Sequence, residues 1–429
     1  MQELLQRNIA PKFQTIKQIL LPPASKKTFQ NGIEAIFVNT GIQDILKLEL
    51  SFKNIVSTDY TKATAQFAFK MLTEGTMQYN SHAISEHFDQ HGGFIETTQG
   101  MDNSSIVVYG LSKYIHQYVF MLNEMLTNST FPANELQTAK DIAIQNLKLN
   151  NEKNSFLASK AIRKLLFHET HPYGFVLEES DIANIKQDEL VSYHNTFIKN
   201  KPFSLQLSGK INDETLQIIE NTFGTTQKYY NNNAVLIDNE TKNTITNTLI
   251  KRPKALQSSI RLGKKMLTRG HEDYHKILLT NEILGGYFGS RLMKNIREEK
   301  GLTYGISSSI VALKEEAYLV IGADVKKEFT QLTIDEIKKE IRILQTQLVP
   351  SDELETVKNY LAGAFAGSVN TPFEIMERHK IIANENLSND FYDQYIPKIN
   401  SITAEQVKET AIKYFNIDSM VEAIVGDLQ

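Results

Sequence analysis

The sequence predicts an α+β fold built as two homologous units, each a mainly antiparallel sheet with helices packed on one face. Three observations carry that expectation. FPANELQTAK at 131–140 returns as VPSDELETVK at 349–358, a spacing of 218, and IKQDELVSYHNTF from Ile185 returns as ITAEQVKETAIKYF from Ile402, a spacing of 217. A repeat of that length points to two copies of one supersecondary plan. Strand-like and helix-like runs come in groups instead of alternating as βαβ, which disfavours an all-parallel sheet. Finally, 429 residues exceed what one ordinary core holds. Residues 1–226 form the first unit and 248–429 the second. The stretch 227–247 between them is polar, Asn-rich and without helical period, and reads as a linker.

In chain order, Gly32 to Val38 and Leu46 to Phe52 read as strands. The second alternates strictly, with Leu46, Leu48, Leu50 and Phe52 on one face and Lys47, Glu49 and Ser51 on the other. One sheet face is therefore covered. A helix is expected over 60–73, with Phe67, Ala68 and Met71 inward, and another near 83–90 that stops at Gly92-Gly93. Strands near 95–98 and 105–111 follow, then helices over 114–127 and 133–166. The strands ending at Gly209 and Gly426 share the 217-residue spacing. In the second unit, RLMKNIREEK puts Leu292 and Ile296 on one helix face after a Ser290 cap, and Gly301 stops it ahead of a strand.

Composition narrows the function classes. Apolar content of 41% and charged content of 22% suit a folded globular chain. With 46 Lys and Arg against 50 Asp and Glu, the chain has no basic field to recruit nucleic acid or an acidic membrane. There is no cysteine, so disulfides, thiolate metal sites and cysteine nucleophiles are excluded. The first residues lack the apolar core of a secretory signal, and no stretch is long and apolar enough to span a bilayer, so a cytoplasmic location is expected. Phosphate-loop and G-x-S-x-G patterns are absent from the sequence.

Two clusters match metal patterns formally. His271-Glu272-Asp273-Tyr274-His275 has the H-E-x-x-H form, but Gly270 precedes it and its neighbours are polar, so a solvated helix start is the better reading. His82, Glu86, His87 and His91 form two i,i+4 pairs on a helix whose core face is Ala83, Ile84 and Phe88. The four read as its wet side, since spacing supplies no third ligand. His168 and His171 read as loop residues at a helix end.

Arg297 lies in the last turn of its helix, and Tyr304, seven residues on, opens the following strand. Taken alone, the pair reads as a surface ion pair and a half-buried strand aromatic. However, NGIEAIFVN, MLTEGT, FPANEL, HPYG and LGGYFGSRL…REEKGLTYG, in that order along nearly the whole chain, together resemble the pitrilysin/insulysin family of zinc peptidases, the inverzincins, in their short processing-peptidase-like branch. The resemblance implies two α+β units facing each other as half of a clamshell. It also implies an H-x-x-E-H zinc motif on the first long helix and a distant Glu as third ligand. Anchored on Gly75-Thr76, those positions carry Gln66 and Lys70 for the two histidines, Phe69 for the general base and Asn146 for the distant Glu. None suits zinc or proton abstraction, so no cofactor is expected in this chain.

The family's Arg and Tyr, understood to hold the substrate backbone and stabilise the oxyanion, match Arg297 and Tyr304. The resemblance therefore implies a non-catalytic subunit of a two-chain metallopeptidase. A paralogous partner with an intact His-x-x-Glu-His would bring the zinc, and an unfolded peptide would add as a strand along Phe94, Ile95, Glu96 and Thr97. The alternative is a catalytically inactive structural or peptide-binding homo-oligomer of the same fold.

Overall fold

Leucines two apart with charged residues between them make the strand Ile45–Lys53 the spine of one sheet, and a second spine at Gln257–Met266 organises another. A computed structural model describes residues 14–54, 59–199, 201–224 and 246–427. Six strands form the first sheet: β1 (Ser25–Thr28), β2 (Glu34–Asn39), β3 (Ile45–Lys53), β4 (Phe94–Gln99), β5 (Asn103–Leu111) and β6 (Ser204–Gly209). Five form the second: β7 (Asn247–Lys251), β8 (Gln257–Met266), β9 (Thr303–Ala312), β10 (Ala317–Lys326) and β11 (Val421–Gly426). Residues 227–245 of the expected linker lie outside the described residues, and Asn247 already opens β7.

The strand orders are β1-β2-β6-β3-β5-β4 and β7-β11-β8-β10-β9. Apart from β1 they correspond one to one. Each sheet has a single parallel pair, β2 with β6 and β7 with β11, and is otherwise antiparallel. The internal repeat is thus visible as topology, and the fold is the expected α+β. Both sheets end on equivalent edge strands, β4 and β9, and each begins near an exposed aromatic, Phe94 or Tyr304.

The helices of the first half are α1 (Lys62–Lys70), α2 (Ser81–Gln90), α3 (Ile115–Asn128), α4 (Ala133–Asn151), α5 (Asn154–Phe167), α6 (Glu179–Ala183), α7 (Gln187–Phe197) and α8 (Asp213–Phe223). Those of the second are α9 (Tyr274–Asn281), α10 (Thr330–Thr346), α11 (Ser351–Gly367), α12 (Pro372–Asn384), α13 (Tyr395–Ser401) and α14 (Ala404–Tyr414). Phe67, Ala68 and Met71 are buried as the periodicity requires, in a core shared with Leu46, Leu48 and Leu50 of β3. A separate core joins β8 and β10 to α10 and α14.

Two features depart from expectation. The helix predicted over 133–166 breaks at Glu152-Lys153, and its second part, α5, crosses to the other sheet. There Ile162, Leu165, Leu166 and Phe167 pack with Tyr318 and Ala423. Gly263 of β8 makes room, since a Cβ at that position would lie 3.0 Å from Ile162. In exchange, α12 of the second half crosses to the first sheet, where Ile375 and Met376 cluster with Ile36 and Val38 of β2.

The polar face of β3 is consequently buried as well. Lys47, Glu49 and Ser51 are all under a tenth exposed. Glu377 and Lys380 of α12 complete two facing charge pairs, Lys47 with Glu377 at 2.7 Å and Glu49 with Lys380 at 2.7 Å. Burial works against the Lys47 charge, but the Glu377 hydrogen bond and the Glu377 and Glu49 charges outweigh it and raise its pKa.

Candidate functional site

A cavity of about 1410 Å³ opens beside α1, walled by both halves of the chain. Helical geometry explains which α1 side chains reach it. With Phe67, Ala68 and Phe69 committed to the core, the i, i+4, i+8 series Lys62, Gln66 and Lys70 falls on the opposite stripe and lines the cavity. Asn146 of α4 lines it too. Three of the four positions matched to the family's zinc set are therefore brought together, and the fourth is not. Phe69 is buried against Phe52, ring centres 5.3 Å apart.

This donor set does not fit zinc. Two amides, one ammonium and a phenyl ring turned into the core offer neither an imidazole nor a carboxylate, and Lys70 adds a positive charge where a cation would sit. Among the described residues, no group of three or more His, Asp or Glu is placed to hold a metal ion.

The histidine motifs serve structure. His275 is buried among Phe391, Tyr395 and Tyr274, and burial lowers its pKa to about 4. The His271 segment is thus not the solvated helix start that its polarity suggests: Asp273 and Tyr274 are buried with it. Asp273 accepts from Lys276, Lys413 and the Tyr414 hydroxyl, which hold its carboxyl below the usual range. His82 and Glu86 are exposed as expected, whereas His87 and His91 are half-buried with rings 4.9 Å apart.

Phe94, Ile95, Glu96 and Thr97 lie on β4, the free edge of the first sheet, and Phe94 is 61% exposed. The strand's last residue, Gln99, lines the cavity together with Gly100. An edge strand therefore leads directly into the chamber.

Arg297 and Tyr304 sit elsewhere, at the corner where a π-helical turn, Met293–Glu299, gives way to β9. Gly301, at φ +63°, makes the reversal that an L side chain resists. The Arg297 guanidinium lies over the Phe288 ring at 4.6 Å and is 4.0 Å from Glu298. Tyr304 is not half-buried but 95% exposed. Neither residue lines the cavity. Phe288 and Tyr304 are both exposed aromatics, and Arg297 stacks on the first of them.

Comparison with known proteins places these features. The sequence profile described as "Insulinase (Peptidase family M16)" matches residues 55–172, and "Peptidase M16 inactive domain" matches 184–361. The chain belongs to the M16 peptidase family. An M16 relative in Bacillus subtilis, called "Uncharacterized zinc protease YmxG", is 23% identical over 91% of this chain and 95% of its own length. A Helicobacter pylori relative called "Non-peptidase homolog YmxG" is 22% identical over 85% of this chain and 82% of itself. Among solved structures, the M16 inactive domain from Pseudomonas fluorescens superposes with a TM-score of 0.84 at 23% identity, covering 95% of this chain and 98% of that one. A Helicobacter pylori protease gives the same TM-score at 13% identity, with 95% and 100% covered. The M16 fold thus extends through the described chain.

Sequence reasoning missed Lys62 and Arg163 as cavity residues. Lys62 had one available signal, its position one helical turn before Gln66. Arg163 had none, because its place in the wall depends on the break that sends α5 to the other sheet.

Proposed function

We propose that this chain is the non-zinc subunit of a two-chain zinc metalloendopeptidase that acts on unfolded peptides. A paralogous subunit with an intact His-x-x-Glu-His supplies the metal and the general base. This chain supplies Arg297 and Tyr304, which hold the substrate backbone and stabilise the charge developing on the scissile carbonyl oxygen. The observation that carries the reading is an asymmetry. The positions matched by resemblance to the family's zinc set carry Gln66, Phe69, Lys70 and Asn146, whereas those matched to its Arg-Tyr pair carry Arg297 and Tyr304, with Tyr304 95% exposed. A charged donor and a phenol aimed at an oxyanion suit that role, and removing one such donor costs about 2.7–4 kcal/mol in the transition state.

A second reading, a catalytically inactive peptide-binding homo-oligomer, is favoured by the name of the Helicobacter relative and by a cavity that needs no metal to hold a peptide. Mixing separates the two. The purified chain alone should not cleave an unfolded peptide, and addition of the zinc-bearing paralogue should restore chelator-sensitive cleavage that Arg297→Ala or Tyr304→Phe reduces. Chelator-sensitive activity of the chain alone, or full activity of both variants in the mixture, would overturn the proposal.

A further inference from the structure

The cavity carries more positive charge than a generic peptide chamber needs. Its described lining includes Lys or Arg at eight positions against three carboxylates, Glu34, Asp102 and Glu315. Two of those carboxylates are occupied: Asp102 accepts from the Tyr173 hydroxyl at 2.5 Å and the Lys314 N–H at 3.0 Å, and Glu315 pairs with the Lys314 ammonium at 3.0 Å. Lys160 and Arg261 also have carboxylate partners, Glu178 and Asp324. Lys62 and Arg163 have none within ion-pair distance among the described residues.

Both of these cations are held to the same residue by neutral groups. The Lys62 ammonium lies 4.9 Å from the Phe175 ring centre and donates to the His171 carbonyl at 3.4 Å. The Arg163 guanidinium donates to the Phe175 carbonyl at 3.2 Å. Half-buried positive groups without a counter-charge are costly, and burial draws the Lys62 pKa down to about 8 and that of Arg163 below its ordinary value. An arriving carboxylate relieves that cost. The route in is a strand edge, since β4 ends at Gln99 on the cavity wall, and backbone pairing with a strand edge selects a polypeptide over any other polyanion.

We propose that this cavity holds the acidic segment of an unfolded peptide, with Lys62 and Arg163 receiving its carboxylates and the free edge of β4 pairing with its backbone. The inference rests on the peptide-holding role proposed above and adds the class of peptide.

The test is fluorescence anisotropy on the full chain with two labelled unstructured peptides, one rich in Asp and Glu and the other with Lys at those positions. The acidic peptide should bind, the basic one should not, and raising salt to ~0.3 M should weaken binding. Lys62→Gln should weaken the acidic peptide about tenfold or more, and Lys62→Arg should recover most of it. Lys62 is the diagnostic position because Arg163 also ties down the loop at Phe175, and an unchanged thermal melt of Lys62→Gln keeps the comparison clean. Amidating the acidic peptide's C-terminus assigns the contact to the terminal carboxylate if binding falls, or to side chains if it persists. Equal binding of both peptides, a Lys62→Gln affinity within about twofold of wild type, or a random single-stranded oligonucleotide binding more tightly through Lys62 would overturn the inference. Loss of charge preference with peptide binding intact leaves the two-chain role standing. Acidic-peptide binding without cleavage by the mixed pair does the reverse.

Discussion

Lys380→Met tests whether the charge network between α12 and β3 holds the two halves together. The Lys380 ammonium donates to the two Glu49 oxygens at 2.8 and 2.7 Å and to those of Glu377 at 3.2 and 3.0 Å. Methionine keeps most of the stem and removes the charge. Glu49, whose side chain is 6% exposed, would then keep only Lys47 at 3.3 Å. Removing one partner of a buried pair costs about 3–5 kcal/mol, and because Lys47 remains we expect a smaller loss, about 2–3 kcal/mol. Glu377 is 44% exposed on its side chain, so Glu377→Gln should cost no more than about 1 kcal/mol. The assay is urea unfolding of the two single variants and of a Lys380→Met/Glu49→Gln double-mutant cycle, with a coupling above ~1 kcal/mol expected. The sign with pH follows from Glu377, whose carboxyl burial tends to raise but Lys380 and Lys47 lower further. Its contribution is present above the ordinary glutamate pKa and disappears as pH falls through its depressed value. The gap between wild type and Lys380→Met should therefore narrow in acid by no more than the ~1 kcal/mol that Glu377 contributes. A Lys380→Met midpoint equal to wild type at neutral pH, or a coupling indistinguishable from zero, would refute the argument.

Three further outcomes follow from other sites. Phe69→Glu, which puts a carboxylate at the position that resemblance matches to the family's general base, should destabilise the fold by roughly 3–5 kcal/mol, because it removes a buried ring and leaves an unpartnered carboxylate in its place; thermal denaturation beside the milder Lys70→His measures it. Tyr304→Phe should leave the melting temperature unchanged, given a ring 95% exposed, while lowering turnover of the reconstituted pair; a drop in both would indicate a structural role instead. Burial pushes the Glu282 carboxyl up to about 7, so its burial is tolerated at low pH and penalised as pH rises from the ordinary glutamate value through 7. Glu282→Gln should therefore stabilise the chain by up to ~3 kcal/mol at pH 8 and have little effect at pH 4, as read from urea midpoints at the two values.

Much of the framework was legible because it is local or repeated. The alternation in β3, the helical stripe of α1 and the 217-residue echo each need only a short window or a self-comparison. The helix-to-strand corner at Gly301 was legible locally too, and only the role given to Arg297 and Tyr304 came from resemblance. What escaped depends on distant chain. Nothing local showed that the polar face of β3 is covered as well, because Glu377 and Lys380, which neutralise it, lie more than 320 residues away. The break at Glu152-Lys153 contains neither Gly nor Pro, so no local signal marks where α5 leaves α4. Lys62 and Arg163 resemble any solvated cation on a helix until packing shows that they face a cavity with neutral partners. His275 misled in the opposite sense: a polar run hid a buried ring.

The crossing of α5 and α12 has a mechanical consequence. Each sheet is roofed by a helix that belongs to the other's half of the chain, so the two layers are laced together and cannot swing apart as doors on a hinge. Any widening of the chamber must therefore occur at its mouth, not by parting the two sheets. Because α5 is at once a chamber wall and the cover of β8 and β11, a displacement of that wall would be passed to the sheet that carries β9.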